Sequence, residues 1–188
     1  MEKMVKFCVL RMMDNNIIEK PQCAVISYGL DLLFSSVVNI LTLLFLSVII
    51  GKEGGIILLL LTSIPLHSFG GGYHCNTRFM CWILTTGGYL AAFFYAVHFP
   101  IKTLLCAALV SAYPFLRFSP VENPKAPFGE IFKKKMKKVV RITYFAGILV
   151  SLILLVFKNE GVRFILAGIS LEGVSVFGAE CKRKKYLK

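Results

Sequence analysis

A histidine and a cysteine seven positions apart are the residues of this chain best suited to covalent chemistry. His74 and Cys81 lie in a segment, residues 67–82, that also contains three consecutive glycines. An imidazole that takes the proton of a thiol turns the sulfur into a nucleophile for acyl transfer. The pattern therefore indicates a thiol site in which Cys81 attacks and His74 acts as general base.

The residues just before Cys81 favour its activation. Asn76 or Thr77 is a good N-cap for a helix, which would place Cys81 in or near the first helical turn. The partial positive charge at a helix N-terminus favours a thiolate, and Arg78 lies nearby in the sequence. We therefore expect the thiol to lie at the start of a helix.

The glycine run explains how His74 reaches Cys81. In one continuous helix, residues seven apart are separated by about 10.5 Å of rise, which is too far for a hydrogen bond. Gly71 and Gly72 permit positive φ and close backbone approach, so the chain can turn back there. Amides of this glycine loop are also reasonable oxyanion donors.

Two other interpretations of this segment remain open. The first is a glycine turn in which the histidine and the cysteines merely pack between helices. The second is a metal site, because imidazole and thiolate ligands suit zinc or copper(I); its ligands would be His67, His74, Cys75 and Cys81. The spacing fits no strong metal motif, so we expect no metal and no other cofactor.

The composition requires these residues to sit in a membrane protein. The chain has 188 residues, 56% of them hydrophobic and only 17% charged, with a mean hydropathy of +0.71. A soluble domain has about half apolar and roughly a quarter charged residues, and one membrane helix needs about 20 mostly apolar residues. We predict an all-α polytopic membrane protein with about six transmembrane helices, at residues 33–50, 55–69, 79–98, 101–117, 141–157 and 162–179.

The N-terminal residues differ from the spans. Residues 1–20 alternate apolar and charged positions, as in an amphipathic helix at the membrane interface, and Pro21 suits the first turn of a second helix. We therefore divide the chain into interfacial helices at 1–32 and a membrane-embedded domain at 33–188. The N-terminus lacks the long apolar region and the cleavage site of a signal peptide. The six cysteines lack the paired spacing of a disulfide framework.

The basic residues predict which way the chain crosses the membrane. Of 22 Lys and Arg residues, 18 fall in the N-terminal segment, the 70–78 loop, the 117–141 connection and the C-terminal tail. Positive loops stay in the cytoplasm, so both termini and the His74 loop should be cytoplasmic. The net charge of +12 then reflects topology, and we expect no nucleic-acid partner.

A carboxylate near the middle of the last span is the other unusual feature. A charge there costs about 2.5–3.5 kcal/mol on insertion scales, so Glu172 should face the bundle interior. It either lines a substrate cavity or bonds to Ser170, Asn39 or a similar partner. A small transporter or peptide exporter that uses Glu172 is the alternative function, and a scaffold without chemistry is a third.

Several stretches of the chain resemble one bacterial family. The motif Gly71-Gly72-Tyr73-His74, with Cys81 seven residues after the histidine, resembles the accessory gene regulator protein B (AgrB) family. Its members are membrane cysteine endopeptidases that process quorum-sensing propeptides. The segments Tyr28–Asp31, Ser119–Pro127 and Gly168–Glu172 are also similar to that family, in the same order.

Two positions depart from the family pattern. The residue seven before the histidine is usually basic, often Arg, and is His67 here. The residue after the histidine is usually small and is Cys75 here. Because adjacent side chains of an extended chain point to opposite sides, Cys81 remains the expected nucleophile.

The resemblance implies a substrate and a place. Cys81 would cleave a propeptide that has an amphipathic leader, a ring-forming Cys or Ser, and an acidic tail. The thioester that forms on Cys81 would then close into a thiolactone or lactone. The enzyme would lie in the bacterial cytoplasmic membrane, in contact with lipid.

Further residues are weaker candidates for this site. The cluster Lys133, Lys134 and Lys135 marks topology, binds anionic lipid headgroups or attracts the acidic tail. Gln22 is a candidate amide-bearing helper from the N-terminal helices. Helix faces that carry Gly147, Gly168 and Gly173 suit close packing with a second copy, so a homodimer is possible.

Overall fold

The N-terminal part of the chain forms a unit of its own. The computed structural model describes residues 2–75, 77–121 and 129–186, which divide into a first unit up to Thr42 and a second from Leu43. In the first unit, α1 (Glu2–Asp14) is followed by a 3₁₀ turn at Lys20–Gln22 and by the start of α2 (Cys23–Ile50).

The predicted amphipathic helix at the N-terminus is α1. Val5 and Val9, four residues apart, are buried on one of its faces and pack with Ile18 and the first half of α2. The predicted second helix and first span are one continuous helix, because neither glycine nor proline interrupts residues 30–50.

The second unit contains the remaining helices. After the end of α2 come α3 (Glu53–Gly70), α4 (Arg78–His98), α5 (Ile101–Val110), α6 (Ala112–Arg117), α7 (Glu130–Val156) and α8 (Gly161–Tyr186). Among the described residues, five helices are long and apolar enough to cross a membrane, namely Gly29–Ile50, Glu53–Gly70, Arg78–His98, Glu130–Val156 and Gly161–Lys185. The prediction of an all-α polytopic membrane protein is confirmed.

The predicted span at 101–117 is two shorter helices. Pro114 lacks the N–H that would bond to the carbonyl of Val110, and its ring crowds that carbonyl, so a single helix breaks here. The buried Ser111 lies at the break. A Cβ on Gly173 of α8 would overlap Ser111, so a glycine at that position makes room for the bend.

The last helix, α8, is the centre of the second unit. It contacts α3, α4, α5, α6 and α7. Residues 165–170 of this helix are all buried, as expected of a helix enclosed by others; they include Ile165, Leu166, Ala167 and Ile169. Side chains of the second half of α8 are therefore well placed to contact several elements at once.

Three glycines bring helices of this unit close together. A Cβ on Gly168 would lie 3.0 Å from Ser63 Oγ, and one on Gly147 would lie 3.2 Å from Ile169 Cδ1. With Gly173 against Ser111, these glycine faces contact helices of the same chain. They therefore give no support to the predicted homodimer, which stays a prediction.

Candidate active site

The segment that carries His74 is an extended stretch between two helices. α3 ends at Gly70, residues 71–75 form no regular structure, and α4 begins at Arg78. Gly71 has φ of +71°, a conformation that favours glycine. Its N–H donates to the carbonyl of His67 at 3.1 Å, so this amide is engaged within the turn. The predicted break of the helix at the glycine run is confirmed.

The start of α4 has the predicted cap. The Thr77 hydroxyl accepts a bond from the Met80 N–H at 3.4 Å, and the Cys81 N–H donates to the Thr77 carbonyl at 3.0 Å. Cys81 therefore lies in the first turn of α4, where exposed N–H groups supply partial positive charge. The alternative cap, Asn76, lies outside the described residues.

The glycine run is held by the segment after α6. The Val121 N–H donates to the Gly70 carbonyl at 3.0 Å. A Cβ on Gly71 would lie 2.5 Å from the Val121 carbonyl oxygen, closer than such atoms can approach. The positive φ and this contact together explain why glycine stands at position 71. The rest of the family-like segment, residues 122–127, lies outside the described residues.

Glu172 pairs with a residue of this site. Its carboxylate Oε2 lies 2.9 Å from His67 Nδ1, and the two residues are 105 positions apart in the chain. The Glu172 side chain is only 3% exposed, whereas the His67 side chain is 38% exposed. The imidazole therefore connects the buried carboxylate with the more open side of the site. The hydroxyl of Tyr89 also lies near Glu172.

The predicted hydrogen bond of Glu172 to a neighbouring helix is present, but its partner is His67 and not one of the two residues named from the sequence, Ser170 and Asn39. Ser170 donates its hydroxyl to the Leu166 carbonyl at 2.8 Å, within its own helix. A serine that bonds to the preceding turn has its donor engaged, whereas the long side chain of Glu172 reaches across to α3.

His74 is enclosed by two positively charged or chargeable groups. Its ring centroid lies 5.7 Å from that of His67 in an edge-on arrangement, and its carbonyl accepts a bond from Lys182 Nζ at 2.5 Å. Burial, followed by the charges of His67 and Lys182, lowers the pKa of His74 from 6.5 to about 4. The imidazole is therefore neutral at pH 7 and able to accept a proton.

One face of α8 holds the backbone next to His74. The Tyr73 N–H donates to the Ser175 hydroxyl at 3.0 Å, and the Tyr73 ring lies 5.1 Å from Lys182 Nζ. Glu172, Ser175 and Lys182 lie on one face of α8, because Ser175 follows Glu172 by three residues and Lys182 follows Ser175 by seven. Sequence reasoning missed Ser175 and Lys182. The signal was their spacing from Glu172 in the last span.

The two cysteines of the site lie within electrostatic reach of each other. Burial raises the pKa of the Cys75 thiol, the Cys81 thiol raises it further, and Lys182 opposes both. Among the described residues, no hydrogen bond joins the His74 imidazole to the Cys81 thiol. Catalytic hydrogen bonds are often long without substrate and shorten in the complex. No group of three or more metal-binding side chains occurs in that part of the chain.

Comparison with known proteins identifies the family of the chain. The sequence model of the family described as accessory gene regulator B matches residues 5–176. The chain belongs to the accessory gene regulator B family. The match includes His74, Cys81 and Glu172, and it confirms the resemblance. No curated protein and no solved structure matches the chain significantly.

Membership defines the general role of the chain. The accessory gene regulator B family takes part in processing the propeptides of accessory gene regulator quorum sensing, and it is known as a family of processing proteases. The motif Gly71-Gly72-Tyr73-His74, with Cys81 after it, therefore belongs to a protein of a propeptide-processing family.

A cleft of about 190 Å³ is lined by several basic residues of this protein. Its walls include Arg117 at the end of α6, Lys133 and Lys137 on α7, and Arg183 on α8. Glu180 also lines the cleft and forms bonds of 2.7 and 2.9 Å to Arg183. The cleft thus carries a net positive charge and suits an anionic ligand.

Three other candidates lie outside this cleft. Lys134 and Lys135 are exposed on α7, and they do not line it. Gln22 belongs to the first unit, where its side chain accepts a bond from the Glu19 N–H at 3.1 Å. That bond gives Gln22 a local role at the 3₁₀ turn.

A methyl group on Gly72 should disturb the site. In Gly72→Ala the new Cβ would overlap the His67 ring, which cannot move without loosening its bond to Glu172. Overpacking of this kind costs about 1–3 kcal/mol. We expect a lower melting temperature in detergent and slower propeptide processing.

Gly87→Ala on α4 is the matched control for this substitution. A Cβ at Gly87 would meet nothing within 4 Å, and alanine favours a helix by about 0.5–1 kcal/mol over glycine. Gly87→Ala should therefore melt at the same temperature or higher. Equal behaviour of the two variants would contradict the close approach of His67 to Gly72.

Proposed function

We propose that this protein is a membrane cysteine endopeptidase that cleaves the C-terminal part of a quorum-sensing propeptide and promotes its cyclisation. The observation that carries the proposal is the placement of His74 on the extended stretch that leads into α4, whose first turn contains Cys81. An imidazole in the loop that precedes a helix, with a thiol in the first turn of that helix, suits thiol acyl transfer.

The first half of the reaction forms an acyl-enzyme. The Cys81 sulfur attacks a peptide carbonyl while His74 takes the thiol proton. The tetrahedral intermediate then collapses, the C–N bond breaks, and the proton moves from His74 to the leaving amine. An imidazolium with a pKa of about 4 gives its proton up readily, which favours departure of the tail.

The second half closes the ring. A Cys or Ser inside the bound peptide attacks the Cys81 thioester, and its proton ends on the Cys81 sulfur as that sulfur leaves. Exchange of a thioester for a thiolactone replaces one bond with its like, so it is close to energy-neutral. Hydrolysis competes, and a site partly enclosed by α3, α8 and the 118–121 segment limits access of water.

The basic cleft is the proposed binding place of the acidic propeptide tail. Its lining includes residues 118–121, the segment that bonds to Gly70 beside the His74 stretch. A peptide with its scissile bond at Cys81 therefore has cationic side chains close to its C-terminal part. Lys133 is the member of the predicted lysine cluster that lines this cleft; anionic lipid remains the other proposed partner of the exposed lysines.

The same geometry supports the proposed orientation in the bacterial cytoplasmic membrane. The cleft joins basic residues from the end of α6, the beginning of α7 and the end of α8. Lys182 connects this end of the bundle to His74. Because basic residues concentrate on the cytoplasmic side, we propose that both termini and the site face the cytoplasm, where a newly made propeptide is present.

A trapped acyl-enzyme tests the proposed function. The probe is a synthetic propeptide with an amphipathic leader and an acidic tail, in which the ring-forming Cys or Ser is replaced by alanine. This peptide cannot cyclise, so the thioester should accumulate. Mass spectrometry of the digested protein should find the leader fragment on Cys81, with one tail released per adduct.

The Cys75→Ala protein is the control for the site of attachment. It should form the same adduct on Cys81 at a similar rate. Release of the tail without an adduct on Cys81, or an adduct on Cys75, would contradict the proposed nucleophile.

A further inference from the structure

We propose that Lys182 is a positioning residue for His74, which fixes its main chain and supplies the fixed positive charge beside its imidazole. The inference rests on the proposed function, in which His74 is the base. Lys182 lies near the C-terminal end of α8, in a stretch of five basic residues at positions 182–188. Arg183 lines the basic cleft, whereas Lys182 contacts the stretch that carries His74.

The contacts of Lys182 fix two successive residues. Its Nζ donates to the His74 carbonyl at 2.5 Å and lies 5.1 Å from the centroid of the Tyr73 ring. A charged donor bonds more strongly than a neutral one, and an ammonium over an aromatic face adds further attraction. The adjacent Tyr73 N–H is already bound to Ser175, so the stretch is attached to α8 at both residues.

This attachment is needed because of the glycines. Residues 71–75 have no helix or strand of their own, and Gly71 and Gly72 lose more conformational freedom on ordering than other residues do. Without external bonds, the His74 imidazole would sample many positions relative to Cys81. A misplacement of about 1 Å in a reacting group can reduce the rate about 100-fold.

The charge of Lys182 acts on the same imidazole. His74 is faced by His67 from α3 and by Lys182 from α8, and Glu172 reaches it through His67. Cys75 is its neighbour in the chain, and Cys81 of α4 lies within electrostatic reach of Cys75. Lys182 is a fixed positive charge in this group, and it disfavours the imidazolium. Lys182 thus lowers the proton affinity of the imidazole while it holds the backbone in place.

Three variants separate charge from hydrogen bonding. Lys182→Arg keeps both, Lys182→Gln keeps a donor without charge, and Lys182→Met removes both. We expect processing to fall about 10- to 100-fold in Lys182→Met and to stay within a few-fold of wild type in Lys182→Arg. Lys185→Met, one turn further along α8, is the matched control and should process at the wild-type rate.

The pH dependence distinguishes positioning from general stability. NMR titration of labelled histidines in detergent follows His74 directly, and the chain has only three histidines to assign. The His74 midpoint should lie near pH 4 in wild type and move upward in Lys182→Met and Lys182→Gln. It stops below 6.5 because burial and His67 remain. The acid limb of kcat/KM should move upward with it, whereas a merely structural defect lowers the rate without this shift.

Different results would contradict the role of Lys182 and the proposed function. An unchanged His74 midpoint together with wild-type processing in Lys182→Met would overturn the role of Lys182, whatever Cys81 does. Processing that survives Cys81→Ala would overturn the proposed function, and the titration would still report on Lys182. If Lys182→Met does not fold, the midpoint of Lys182→Gln decides.

Discussion

Replacing Cys81 with alanine should reduce propeptide cleavage by a factor on the order of 10⁴ or more. The substitution removes the sulfur that forms the thioester, and no other step of the proposed reaction can begin without it. His74→Ala should cause a loss of similar size, because residues that act as a unit are not additive. Cleavage is measured as release of the acidic tail from a synthetic propeptide by the purified protein.

The structure gives clear controls for this result. Cys81 is half-buried at the first turn of α4, so alanine there should leave insertion and melting temperature nearly unchanged. The double variant with His74→Ala should be no slower than either single variant. If Cys81→Ala still cleaves and Cys75→Ala does not, the nucleophile is Cys75. If both cleave at the wild-type rate, neither Cys75 nor Cys81 is required, and the proposed mechanism is contradicted.

The fold was largely predictable because the bilayer imposes a simple rule on the sequence. Each spanning helix needs a long apolar block, and blocks of that length separated by glycine and charge are visible directly. The exception is the 101–117 block. A proline is tolerated in membrane helices, as Pro65 is within α3, so Pro114 alone did not predict a break. The break at Ser111 also needs the space that Gly173 provides on α8.

The positions of the two proposed catalytic residues around the start of α4 were predictable because they depend on local sequence. Residues 67–82 contain the glycine run, the N-cap and the seven-residue spacing between His74 and Cys81. Together these features place both residues at one end of a helix. Lys182 and Ser175 were not predictable in the same way. They lie more than 100 positions after the residues they bind, and their roles depend on how α8 packs in the bundle.

The pairing of Glu172 with His67 was only partly predictable from the sequence. A carboxylate in an apolar span must have a partner, and His67 stood where a basic residue is usual in the family. Their opposite charges therefore made Glu172 and His67 a reasonable pair. Their contact joins α3 and α8 across 105 positions, and only the packed structure brings them to 2.9 Å.

Replacing one member of this pair should cost more than replacing the other. His67→Leu removes the imidazole from the Glu172 carboxylate, whose side chain is 3% exposed, and leaves the neutral Tyr89 hydroxyl near it. Removal of one partner from a buried charged pair costs about 3–5 kcal/mol in the free energy of unfolding. Glu172→Leu leaves His67, which is 38% exposed and can become neutral by losing its proton, so the loss should be about 1.5–3 kcal/mol, the range for a single hydrogen bond to a charged group.

The double variant decides whether the asymmetry comes from the pair itself. Adding Glu172→Leu to His67→Leu removes the stranded carboxylate and should recover part of the stability, because apolar replacement of both partners is often neutral. Unfolding by dodecyl sulfate in mixed micelles measures each free energy. Glu160→Gln is the control: its partner is Arg163 at 2.6 Å, but Glu160 is 81% exposed, so the cost should stay below about 1 kcal/mol. Additive losses in the double variant would show that the two side chains are not coupled, and that Glu172 stabilises α8 through another contact, such as Tyr89.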